Sequence, residues 1–372
     1  LIASPYVPYP LAHGGAVRMY NLMRRAAAEF DQVLVAFTEH RSTPPPELVE
    51  LFTEIVLVHR PGSHDLHDTG RPEMVEEFAS LAYGAALRES VRKWKPAIAQ
   101  LEFTQMAQYA ADCAPARTIL VEHDITFDLA QQFLALEPTP ERRDHYQRWH
   151  RFETNAWSTV DRVVVMSDKD RTMLKSAIVL PNGVDLDRYQ PSPEPPDVRR
   201  ILFIGSFAHK PNVMAIEFFV NEVLPGLPEV TLHIIAGANH ESFPIAANLN
   251  RPGIELEGFV SDVRPAYRRA AAVIAPLTAS AGTNIKILEA MAMGKAIVST
   301  PAGVNGLDLI PGQHFLLTPT AAEMAAAIEH LFADPSARTN LETNARAHVE
   351  AVYDWNGIAA RQTRLYRELM TS

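Results

Sequence analysis

The chain has 372 residues, too long for one ordinary core and comfortable for two. Hydrophobic residues make up 47% and charged residues 21%, which excludes global disorder. Against 34 Lys and Arg stand 44 Asp and Glu; the net charge of -10 is shared evenly, and neither half carries the charge of a nucleic-acid-binding domain. The one cysteine, Cys113, cannot close an internal disulfide and points to a reducing compartment. No apolar run approaches the roughly 18 residues needed to cross a bilayer and no signal peptide is visible. A cytoplasmic location is expected, with membrane association left open.

Short β-branched runs alternate with longer amphipathic stretches, the pattern of βαβ units and parallel sheets. The first half predicts strands at 1–4, 32–37, 55–59, 97–101, 118–121 and 162–166, with helices at 17–29 and 142–160 among the intervening segments. PNGVDLDRYQPSPEPPD (181–197), with its prolines and Asn-Gly turn, reads as a connector. The pattern then restarts, with strands at 200–204, 231–236, 253–256, 272–275 and 296–299. A last amphipathic helix is expected from Trp355 to Leu369. The fold class is therefore α/β, with two doubly wound Rossmann-like domains facing across a cleft. Ligands of such sheets bind beyond the carboxyl ends of the strands.

The segment PLTASAGTNIKILEAMAMGKAIVST (276–300) carries the most chemistry. A loop with Gly282 leads into a helix from about Asn284, which Gly294 stops. With Thr283 as N-cap, a capping box would place Glu or Gln three residues on; the sequence has Lys286. A cation there opposes the helix dipole, whereas a bound anion would be met by free N–H groups and Lys286 together. Glu289 lies one turn on, on the same face, and a carboxylate accepts both hydroxyls of a ribose. Anion site plus diol acceptor describes a nucleoside diphosphate pocket. A plain Lys–Glu pair on a core helix would have the same spacing.

This segment resembles the donor-binding signature of retaining glycosyltransferases with the GT-B fold, family 4. Glu289-Ala-Met-Ala-x-Gly294-Lys-x-Ile-Val matches the second half of their E-x7-E motif. PNGVD (181–185), ILFIGSF (201–207), VVVMSDKDR (163–171) and PYPLAHGGAVRMYNL (8–22) match further family segments in the family's order. The resemblance implies an N-terminal acceptor-binding domain (1–190), a C-terminal nucleotide-sugar donor domain (191–354), and a final helix (355–372) returning to the first. It implies ribose binding by Glu289. It implies diphosphate contacts from the backbone of Gly282, Thr283 and Asn284, with Lys286 as charge partner. Gly205 and Ser206 would let their turn approach the donor, with Lys210 as a nearby cation. Gly14 and Gly15 would approach the diphosphate and sugar, with Arg18 just behind on the acceptor side. His123 stands where the family often has a histidine near the donor sugar, a catalytic position it would share with Lys286.

Two features depart from the family pattern. Ala281 stands where the first Glu of the E-x7-E motif belongs, and Ser206 and Asn212 replace the usual basic pair, for which His209, Lys210 and Lys286 are candidate substitutes. Elsewhere, His123 with Glu122 and Asp124 reads as a polar loop, because no second His or Cys falls at ligand spacing. Glu102 and Gln105 end a strand and suit either acceptor contact or ordinary loop polarity. The Arg-, His- and aromatic-rich helix at 142–160 suits either anionic lipid or solvent.

The expected function is transfer of a sugar from a nucleotide sugar to an acceptor hydroxyl, with retention. It needs no metal and no cofactor beyond the nucleotide-sugar co-substrate. The acceptor is a glycan, lipid-linked or small-molecule hydroxyl compound; peripheral membrane contact and oligomeric state stay open. Alternatives are a GT-B-like sugar-nucleotide epimerase or phosphorylase, a catalytically degraded binding or assembly protein, and a two-domain small-ligand receptor.

Overall fold

The computed structural model describes residues 1–11, 13–39, 43–60, 69–280 and 282–371. The chain divides into two units, Leu1–Asn182 with Trp355–Ser372, and Gly183–Asp354.

Among the described residues, seven strands form the sheet of the first unit: β1 (Ile2–Ser4), β2 (Val33–Thr38), β3 (Glu54–His59), β4 (Ile98–Glu102), β5 (Arg117–Glu122), β6 (Arg162–Val165) and β7 (Ile178–Val179). Their order is β3-β2-β1-β4-β5-β6-β7, and every pairing is parallel. A parallel sheet is covered on both faces, so its central strands read as unbroken apolar runs. VLVAFT of β2 is buried at all six positions.

The second unit repeats the plan. Its strands are β8 (Arg200–Ile204), β9 (Thr231–Ile235), β10 (Ile254–Glu257), β11 (Ala272–Ala275), β12 (Ala296–Ser299) and β13 (Leu316–Leu317). They run parallel in the order β10-β9-β8-β11-β12-β13. In each sheet the chain order reverses at one place, beside β1 and β4 in the first and beside β8 and β11 in the second. Loops leaving neighbouring strands diverge there and open a crevice at the carboxyl edge.

The expected boundary at residue 190 moves to residue 182. Val184 donates its N–H to the carbonyl of Tyr353 (2.9 Å), and Val184 and Tyr189 are buried in the second unit's core. The stretch 183–190 is thus part of the second unit rather than a free connector.

The final helix, Trp355–Thr371, packs within the first unit. Trp355 and Ile358 bury against Leu22 of the helix Gly14–Ala26, and Leu365 and Leu369 against Ile119, Val121 and Leu180. The Arg-rich helix runs from Pro140 to Trp157, with Thr139 as N-cap. Trp149 is buried, and the half-buried Tyr146 and the exposed His150 pack on Phe127. Arg142 and Arg148 pair with Glu137 and Asp144. Among the described residues, no helix is long and apolar enough to cross a membrane.

The first unit therefore depends on a helix that follows the second unit in sequence. Trp355→Ala empties a fully buried site and should cost about 3–5 kcal/mol, measured as a lower midpoint in chemical denaturation. An unchanged midpoint would show that the helix is dispensable to the unit.

Candidate functional site

In the second unit, the turn after β8 and the loop after β11 share the carboxyl edge where the strand order reverses. Gly205 makes the first turn possible. A Cβ there would lie 2.6 Å from the Phe203 ring and 2.8 Å from Asn212 Cγ. Asn212 donates from Nδ2 to the carbonyl of Ser206 (2.8 Å), so this residue holds the turn's shape. Ser206 and Lys210 are exposed, Lys210 opening the helix Lys210–Phe218. The loop after β11 is tied down by Thr300, whose Oγ1 donates to the Leu277 carbonyl (2.5 Å), and by Asn305, whose Nδ2 donates to the Ser280 carbonyl (2.9 Å). Gly282, Thr283 and Asn284 are half-buried along it.

The helix that follows spans Ile285–Ala292. Its N-cap is Asn284, not Thr283; the Asn284 side chain does not cap the helix N–H groups, and its Nδ2 donates instead to the Gly303 carbonyl (3.5 Å). Lys286 is accordingly the second helical residue, one position nearer the start than expected. Gly294 and Lys295 close the far end, donating N–H groups to the carbonyls of Met291 and Ala290. The N–H groups of Asn284, Ile285 and Lys286 meet no acceptor among the described residues.

Lys286 and Glu289 are both half-buried. Burial pushes the Lys286 ammonium down to about 8, with Glu289 partly opposing. No hydrogen bond or ion pair reaches that ammonium among the described residues. Glu289 is differently placed. Tyr189 Oη donates to its Oε1 (2.9 Å) and Tyr267 Oη lies 3.1 Å from its Oε2. Burial raises its pKa, against the tyrosine hydrogen bonds and the Lys286 charge. Two hydroxyls occupy about half of the carboxylate's acceptor sites and orient the rest. Sequence reasoning missed both tyrosines, which lie 100 and 22 residues from Glu289 in the chain.

In the first unit, Gly14 and Gly15 open the helix Gly14–Ala26, capped by His13, whose Nδ1 accepts the Ala16 N–H (3.4 Å). Gly14 is exposed. A Cβ on Gly15 would lie 2.6 Å from Phe103 Cζ. Phe103 stacks in parallel on His123, with ring centroids 3.7 Å apart. His123 ends the run after β5 and is buried, its Nε2 2.7 Å from Glu102 Oε2.

Two expected acceptor residues are corrected. Arg18 is buried, and its guanidinium donates to the Pro181 carbonyl (2.7 Å) and to Asn182 Oδ1 (3.3 Å). It anchors the segment that leaves the unit. Glu102 is 2% exposed and binds Gln100 and His123, so it is closed to an acceptor. Gln105 is buried as well. Ala281 lies outside the described residues. Among those described, no group of three or more His, Cys, Asp or Glu is arranged to hold a metal ion.

Residues 198–334 match the family model for glycosyl transferases group 1. That stretch, within the second unit, is similar to the group 1 glycosyl transferases. Phosphatidyl-myo-inositol mannosyltransferase of Mycolicibacterium smegmatis is 27% identical over 199 residues, covering 51% of this chain and 51% of that protein. The match thus spans about half the length of that relative. Sucrose-phosphate synthase from Thermosynechococcus elongatus has the same fold, with a TM-score of 0.79 at 20% identity over 100% of this chain and 99% of that one. HepE from Anabaena, solved in complex with UDP-glucose, superimposes with a TM-score of 0.73 at 15% identity over 99% of each chain. The fold matches that of these GT-B structures, each unit being Rossmann-like.

Behind His123 lies a second acidic pair that the group 1 signature does not include. Glu122 and Glu153 are buried and share Thr104, whose Oγ1 donates to Glu122 and lies 3.4 Å from Glu153 Oε1. Trp157 Nε1 donates to Glu122 (2.7 Å); the N–H groups of Thr126 and Phe127 donate to Glu153 (2.7 and 2.8 Å). Burial first, and the neighbouring carboxylate second, raise the pKa of Glu122; burial raises that of Glu153. Folded-state values above the unfolded ones make the protonated pair stabilising at low pH. That contribution fades as pH rises from the ordinary carboxyl range through neutrality. Glu122→Gln mimics the protonated form, so its melting temperature should fall less than the wild type's between pH 5 and 8, read by thermal melts in a pH series. Parallel curves would show that the pair binds no extra proton on folding.

Proposed function

We propose that this protein transfers a sugar from a nucleotide sugar to an acceptor hydroxyl. The second unit binds the donor and the first serves the acceptor. The observation that carries this reading is the start of the helix Ile285–Ala292. An unpartnered, partly desolvated ammonium, open N–H groups and a tyrosine-held carboxylate share one helical face there. A diphosphate suits the first two and a ribose diol the third. UDP-glucose in HepE and the mannosyltransferase name of the curated relative support the same substrate class.

The difficult step is departure of the nucleoside diphosphate, which gains negative charge as the glycosidic bond breaks. Dipoles and a cation fixed beforehand stabilise that charge without reorganising. Lys286 and the helix start do this here, with Lys210 a further cation at the same sheet edge. Retention follows from the family resemblance, with attack by the acceptor hydroxyl on the face the diphosphate leaves. No divalent metal takes part, so EDTA should leave turnover intact; activity lost on chelation and restored by manganese or magnesium would count against this mechanism. A binding protein without turnover is the second reading. It is favoured by Ser206 and by Asn212, whose amide holds a carbonyl rather than an anion. Hydrolysis assays with a panel of nucleotide sugars separate the two.

Lys286→Ala should leave the unliganded protein as stable as before, because it removes a cation that opposes the helix dipole. It should weaken nucleoside diphosphate binding by about 1.5–3 kcal/mol, the range of a charged hydrogen bond. Glu289→Gln keeps one acceptor for the tyrosines and should lower affinity for ribonucleotides more than for their 2′-deoxy analogues. Calorimetric titration with uridine and guanosine diphosphates, alongside melts without ligand, reads both. Unchanged affinity with a lower melting temperature would make the two residues structural.

A further inference from the structure

In the second unit, the segment between β12 and β13 ends in a turn whose residues 310–313 are exposed and whose next side chain, His314, is buried. The turn closes on this residue twice. His314 donates its own N–H to the Ile310 carbonyl (2.9 Å), and its Nδ1 accepts the Ile310 N–H (3.1 Å). An imidazole nitrogen that accepts carries no proton, so the single proton of the neutral ring sits on Nε2. A second proton, at Nδ1, would set N–H against N–H and open the clasp.

The face of the ring is committed as well. It stacks on His348 of the helix Pro335–Val352, with centroids 4.2 Å apart and planes within 24°. Tyr353 meets the His348 ring edge-on at 5.9 Å, and His348 Nε2 is buried without a hydrogen-bond partner among the described residues. Histidines gain charge in a common pH range, and charges at this separation repel. Two further groups bear on the pair. Asp308, exposed on the same segment, favours a charge on His314; the Tyr353 phenol accepts the Asp308 N–H (2.8 Å). Arg346 and Glu350, on the helix of His348, pair with each other and lie two positions from it, off its face. Burial first, and His348 second, lower the pKa of His314, and Asp308 opposes them more weakly.

The same segment leads to the candidate site of this unit. Asn305 Nδ2 donates to the Ser280 carbonyl (2.9 Å), and the Gly303 carbonyl accepts from Asn284 Nδ2 (3.5 Å). Its first residues thus brace the loop after β11 and the start of the helix Ile285–Ala292. Leu307 and Leu309 rest on the core between these contacts and the turn.

We propose that His314 and His348 form an acid-sensitive latch, which holds the segment 303–315 on the helix Pro335–Val352 while His314 is neutral and lets it go when His314 takes a second proton. The folded state favours the neutral ring. The latch is therefore closed above the ordinary imidazole value of about 6.5 and opens progressively as pH falls below it. Opening removes the brace on the loop after β11, so the affinity of that loop for nucleotide falls in acid. This last consequence rests on the donor reading above; the latch itself does not.

The test is hydrogen exchange read by mass spectrometry on the full chain at pH 7.5 and pH 5, with exchange times scaled for the intrinsic effect of pH. Peptides covering 303–317 of the wild type should open about tenfold more often at pH 5, while peptides of β8 and β9 keep their protection. His314→Asn offers an amide oxygen to the Ile310 N–H and cannot take up the charge, so its exchange should be the same at both pH values. His348→Phe keeps a stacked ring and removes the repelling neighbour, and should shrink the gain. Calorimetric titration with UDP should show affinity falling between pH 7.5 and 5 by more in the wild type than in His314→Asn; the protonation of UDP itself is common to both. Equal wild-type protection at the two pH values overturns the latch, as does an undiminished gain in His314→Asn. A gain spread evenly over the whole unit overturns it too, since that marks general acid unfolding. If the segment opens in acid and UDP affinity falls equally in wild type and variant, the latch stands and its link to the loop after β11 falls. If the wild type binds no UDP at any pH, the donor reading loses its support and the exchange result still decides the latch.

Discussion

A carboxylate withdrawn from water must be met by donors, because an unpaired buried charge costs several kcal/mol. Much of the polar architecture of this protein follows from that requirement. Glu289 is met by Tyr189 and Tyr267, Glu102 by Gln100, and Glu153 by two backbone N–H groups. The donors to Glu289 and Glu153 come from other elements, so each of these carboxylates ties elements together and acquires a fixed orientation. Orientation is what a binding site needs. A carboxylate with half its acceptor capacity committed to the protein presents the other half in one direction.

The buried cations divide along a related line. Burial lowers Arg18 to about 10 and Lys286 to about 8. Arg18 has a carbonyl and an amide oxygen for partners and pins the end of the first unit. Its planar, weakly hydrated head suits that task. Lys286 has a compact ammonium with no partner among the described residues and lies in the first turn of a helix, where its charge opposes the helix dipole. The same type of penalty is resolved by hydrogen bonds inside the protein in one case and left unresolved among the described residues in the other.

The two sheets use one topology twice, and the candidate residues gather where that topology opens. In the second unit they follow β8 and β11; in the first they follow β1, β4 and β5. The group 1 match lies within the unit that carries Lys286 and Glu289, whereas the hydrogen-bonded histidine belongs to the unit outside that match.

How much of this was legible beforehand follows from range. Strands such as VLVAFT and AIVS declare themselves, since a strand buried on both faces must be apolar at every position. The two-residue strands Ile178–Val179 and Leu316–Leu317 are too short to leave a pattern. Lys286 and Glu289 were readable because one helix turn places them together, a matter of spacing alone. The cap at Asn284 rather than Thr283 was not, because both residues suit the position and the backbone geometry chooses between them. Glu102 and Arg18 looked like residues for an acceptor, and only packing shows that their partners are already inside the protein. The hydrogen bond from Tyr366 Oη to Gln100 Oε1 joins residues 266 positions apart. Local physics, carried by spacing, determined the elements and the pairing of Lys286 with Glu289 on one helical face. The direction of each buried hydrogen bond, and so which group is free to meet a ligand, was decided only when distant strands and the C-terminal helix came together.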